Sequence, residues 1–141
     1  MALTDRARRW DLDAMRAGIG VCLILAIPLT LIAAFLDSDD TGLNALFFFG
    51  AMFGFVLGAG CAAWIQRRGT PLSHGMVTAM VAYVGAQAVF ITIRLIGGNT
   101  VNWFGVFFTL SLVMLAGLFG GLLGSLLQAR GVVPSSRRSQ T

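Results

Sequence analysis

A chain of 141 residues points to a single domain. Hydrophobic residues make up 57% of it and charged residues only 11%, where a soluble domain carries about 25%; this balance excludes both an ordinary soluble fold and a disordered segment. The net charge of +4 comes from ten arginines and six aspartates, and the arginines stand in twos and threes beside apolar runs. That placement suits membrane topology and argues against nucleic acid as a partner.

Residues 1–16 form a polar leading segment, in which Thr4 to Arg16 mixes Asp and Arg with Trp10 and Met15. It reads either as a helical extension of the first apolar span or as a short helix lying in the membrane interface. The first span runs from Ala17 to Leu36. It exceeds the 7–15 residues of a signal-peptide core, Asp5, Asp11 and Asp13 precede it, and Ile32-Ala33-Ala34 is a poor cleavage match, so a retained helix is expected. Pro28 removes an amide donor and should kink it.

The loop Asp37 to Gly42 leads to a second span, Leu43 to Ile65. Here Gly50, Gly54 and Gly58 recur every four residues and Ala62 follows, so all four share one helix face. Such a face is a flat groove that another backbone can approach closely. The next loop, Gln66 to His74, carries Arg67, Arg68 and the lone histidine, which is expected in the headgroup region or against those arginines.

The third span, Gly75 to Ile96, has a small-residue row at Thr78, Ala82 and Ala86. Tyr83 and Gln87 fall near the midplane and need hydrogen-bond partners there. Arg94 is the single charged residue within a span, about two residues from its outer end; it can snorkel to the interface or pair with Asp37, Asp39 or Asp40. After Gly97 to Asn102, the fourth span runs from Trp103 to Leu127, with one row at Gly117, Gly121 and Ser125 and another at Ala116, Gly120 and Gly124. Residues 128–141 are a polar tail, expected to be disordered from Gly131 onward.

Each span is long enough to cross a bilayer, and only helices or closed barrels satisfy their amides there. The short loops make neighbouring helices antiparallel. The expected fold is therefore an all-α integral membrane four-helix up-down bundle over residues 17–127. Arg6, Arg8, Arg9 and Arg16, then Arg67 and Arg68, then Arg130, Arg137 and Arg138 all fall on one side, and the opposite loops carry Asp37, Asp39 and Asp40. The arginine-rich side is expected to be cytoplasmic, with both termini inside, in a bacterial plasma membrane. The Phe47-Phe48-Phe49 and Phe107-Phe108 runs before the two glycine rows hint at a duplicated helical hairpin.

Cys22 and Cys61 lie within spans and His74 stands alone, which argues against a disulfide framework, a metal or a cofactor. No span holds an aspartate or glutamate in its interior, so a carboxylate-driven exporter is disfavoured, and the chain offers no catalytic group set. Two function classes remain. The leading expectation is a non-enzymatic homo-oligomer or accessory subunit of a larger membrane complex, packing through Gly50, Gly54, Gly58, Ala62, Gly117, Gly120, Gly121 and Gly124. The alternative is a small transporter or channel with a polar path near Gln87, Tyr83 and Arg94.

One set of segments carries a family likeness. Gly58-Ala59-Gly60-Cys61-Ala62-Ala63, then Arg67-Arg68, Leu72 and His74-Gly75, then Ala116-Gly117 and Gly120-Gly121-Leu122-Leu123-Gly124 resembles small bacterial four-helix membrane proteins of the YrzE-like type. The resemblance covers roughly residues 50–127. It implies the four-helix membrane fold and brings no catalytic activity with it.

Overall fold

A computed structural model describes residues 10–36, 41–132 and Pro134. Four helices account for most of them: α1 (Leu12–Leu36), α2 (Thr41–Ile65), α3 (Pro71–Ile96) and α4 (Trp103–Ala129). There is no strand among the described residues. All four helices are long and apolar enough to cross a membrane. The chain is thus an all-α protein of four candidate membrane spans.

Local signals explain the helix ends. Asp11 accepts from the Ala14 amide through Oδ1 at 3.2 Å, an N-cap that starts α1 five residues before Ala17. Leu12 to Arg16 therefore continue the first span as helix; residues 1–9, with the start of the leading segment, lie outside the described residues. Pro71 stands in the first turn of α3, where its missing donor costs nothing. Asn102 caps α4 by accepting from Gly105 at 3.1 Å. Gly98 and Gly131 adopt φ of 73° and 70° just beyond α3 and α4, a left-handed turn that glycine enters without penalty. α1 runs through Pro28 without interruption, and the Thr30 hydroxyl donates to the Ala26 carbonyl at 2.6 Å.

The helices form two antiparallel hairpins. Gly18 of α1 lies against Gly58 and Ala62 of α2, and Gly54 lies against Leu25 and Ala26. Gly75 of α3 lies against Gly117 and Gly121 of α4. The hairpins join along α2 and α4, which run parallel: Gly60 meets Gly120, and Gly124 meets Ala63 and Trp64. α3 also touches α1 and α2, whereas α1 and α4 do not meet among the described residues. The two hairpins are therefore not placed as symmetric copies, whatever the kinship of their sequences.

The packing is inside out relative to a soluble protein. Ala14, Ala59, Ala62, Ala63 and Ala79 are fully buried, while Ile24, Phe49, Phe104 and Ile96 are exposed. Water would penalise so continuous an apolar surface. In lipid it costs nothing, and small residues within let the backbones approach.

Candidate functional site: a cavity at the splayed end of the bundle

The bundle has two ends. The base carries Asp11, the α2–α3 connection and the end of α4; the mouth carries the end of α1, the start of α2 and the α3–α4 connection. At the base the helices touch backbone to backbone. A Cβ at Gly124 would fall 2.6 Å from both the Ala63 Cβ and the Gly60 carbonyl oxygen, and one at Gly75 would fall 2.8 Å from the Gly117 carbonyl oxygen. Toward the mouth the contacts loosen: Gly50 meets only a Leu29 side chain.

Buried polar side chains lock the base. Gln128 of α4 donates to the carbonyls of Ala63, Trp64 and Gln66 at 3.0, 2.9 and 3.0 Å, satisfying the acceptors left open at the end of α2. Gln66, itself buried, accepts from the Arg68 amide at 2.6 Å. Trp64 donates its indole N–H to the Val132 carbonyl at 2.7 Å and so ties the chain after α4 to α2.

His74 belongs to this lock. It is fully buried at the base, against the connection that carries Arg67 and Arg68. Its Nε2 accepts from the Asp11 amide at 3.0 Å, and Nδ1 lies 2.9 Å from the Thr70 carbonyl oxygen. An amide donor on one nitrogen and a carbonyl acceptor on the other assign the neutral Nδ1–H tautomer. Trp10 covers the ring with centroids 5.1 Å apart, and the Asp11 carboxylate accepts from the Arg67 amide at 3.2 Å. Arg67, Arg68 and Arg130 themselves are exposed at the base.

At the mouth the four helices part around a cavity of about 630 Å³. α1 contributes Ala26, Ile27 and Thr30; α2 contributes Asn44, Phe47, Phe48 and Phe55; α4 contributes Val106 and Thr109. The α3 wall holds Tyr83, Gln87, Phe90 and Arg94, a spacing that puts all of them on one helix face. Every polar candidate named inside the third span thus faces the same space. Tyr83, at the floor, is already engaged: its hydroxyl donates to the Val106 carbonyl at 2.9 Å, and its ring meets Phe55 edge-on at 6.3 Å. Gln87 is half-buried and Arg94 exposed, and neither makes a side-chain hydrogen bond or ion pair among the described residues.

The glycine candidates lie elsewhere, at the helix contacts described above. Gly54 and Gly58 face α1, Gly117 and Gly121 face α3, and Gly120 and Gly124 face α2, with Ala62 buried beside Gly18. Sequence reasoning missed Gln66, Gln128 and Asp11. For Gln128 a signal existed: it stands four residues after Gly124, on the face that meets α2. Among the described residues no three His, Cys, Asp or Glu side chains converge as a metal ion would require.

No family model, no curated protein and no solved structure matches this chain.

Proposed function

We propose that this chain is a non-enzymatic, multi-pass membrane protein that binds a small amphipathic molecule in the cavity at its mouth, as a carrier or channel component. The observation that carries the reading is the convergence of Tyr83, Gln87 and Arg94 on one apolar-walled space. Its volume of about 630 Å³ lies within the roughly 300–1,000 Å³ of small-molecule sites, which are typically apolar with a few polar groups. The base acts as the rigid clamp that holds the mouth apart. The arginine bias supports a topology in which that end is cytoplasmic in a bacterial plasma membrane, both termini are inside and the cavity opens outward.

The accessory-subunit reading comes second. It relied on glycine faces free to receive a partner, and those faces are covered by the chain's own helices. A homo-oligomer or larger complex would have to use the outer Leu and Phe surface. Purification from native membranes in a mild detergent, with mass spectrometry of what travels along, separates the two. A small amphipathic molecule retained by the wild type and lost from Ala86→Trp supports the cavity. A stoichiometric protein partner retained by both, with no such molecule, favours the accessory role.

A further inference from the structure

Resting on the cavity reading, we infer that the ligand is an amphipathic anion, with a carboxylate or phosphate head at Arg94 and an apolar tail between the phenylalanine walls. The cavity is polarised along its axis. Arg94 sits in the last turn of α3 at the mouth, permanently charged and without an ion-pair partner among the described residues. Gln87 lies seven residues earlier on the same face, roughly 10 Å deeper at 1.5 Å per residue. At the floor Tyr83 has its hydroxyl already bonded, so little hydrogen-bonding demand remains there.

The electrostatics select the sign of the head. No aspartate or glutamate is among the described lining residues, so none of them would offset Arg94 for a cationic ligand; Asp37, Asp39 and Asp40 lie outside the described residues. α4 begins at the mouth, and its residues Asn102 and Gly105 line the cavity. The positive end of that helix adds to the field of the guanidinium. A neutral ligand would give Arg94 no counter-charge, which it also lacks among the described residues. A simple inorganic anion would leave Phe47, Phe48, Phe90, Ile27 and Ile91 without contacts. An anion with a tail satisfies both, and Gln87 can then bond a polar group partway along it.

The test is equilibrium binding to the purified full chain in a neutral detergent. The probes are hexadecanoate, hexadecyl phosphate, hexadecanol, hexadecyltrimethylammonium and inorganic phosphate. Both anionic amphiphiles should bind at least tenfold tighter than the alcohol or the ammonium, and inorganic phosphate should not compete. Arg94→Gln should erase the preference and Arg94→Lys should keep most of it; Arg94 is exposed, so both variants should fold. Equal affinity for anion and alcohol, or an unchanged preference in Arg94→Gln, overturns the anion assignment while leaving the cavity in place. Competition by inorganic phosphate alone overturns the tail. If no amphiphile binds the wild type, or if Ala86→Trp binds all of them normally, the cavity reading itself falls.

Discussion

Two glutamines show how differently the ends of this bundle are built. Gln128, at the base, reaches with its amide to the carbonyls of Ala63 and Trp64 at the end of α2 and of the buried Gln66 just beyond it. Gln87, on the mouth side, is half-buried beside open space and donates to nothing among the described residues. One side chain completes a packed joint; the other is left with unused hydrogen-bonding capacity. Glycine divides in the same way, from backbone contact at Gly120 and Gly124 to a single leucine side chain at Gly50. Close packing is concentrated at one end and open, mixed polar and apolar space at the other.

Substitutions can break or sharpen this contrast. The largest effect is expected at the base glycines. Gly58→Leu would drive carbon into Cys22 and the Gly18 carbonyl, and Gly120→Leu into the Val56 carbonyl and Ala59. Each should cost about 3 kcal/mol or more, since backbone on the far side cannot yield. Denaturation in mixed micelles would show it as lost helix–helix association. Next comes Gln128→Leu, which strands the carbonyls at the end of α2 and should cost about 1–3 kcal/mol in the same measurement. Gly85→Ala, facing open space within α3, should instead stabilise by up to about 1 kcal/mol. Gln87→Leu should change stability by no more than about 0.5 kcal/mol, because no partner is lost. If Gln87→Leu destabilised as much as Gln128→Leu, the two ends would not differ in kind and the mouth would be a packed element.

The four spans were legible from hydropathy because lipid imposes a length and an apolar composition that few other folds share. The face carrying Tyr83, Gln87 and Arg94 was legible from helical spacing. What those residues meet was not: whether Arg94 stands alone depends on where residues from other helices fall. His74 shows the limit most clearly. A histidine at the start of a span reads as interfacial, yet burial follows from the turn at Gln66–Thr70 folding it under Trp10. Gln66 and Gln128 were passed over for the same reason, since a polar residue at a span end looks alike whether it meets water or a neighbouring helix. The glycine rows announced close packing, but spacing alone does not distinguish a partner within the chain from one outside it.

The bonds from Gln128 to Ala63 and Trp64 bridge 65 and 64 positions of the chain. During synthesis the α1–α2 hairpin therefore enters the bilayer before the donor that seals its end has been made. Until the last helix is released, water must stand in at those carbonyls. Final closure of the molecule thus waits on the last segment translated, and a stop codon shortly before Gln128 should yield an inserted but unsealed product.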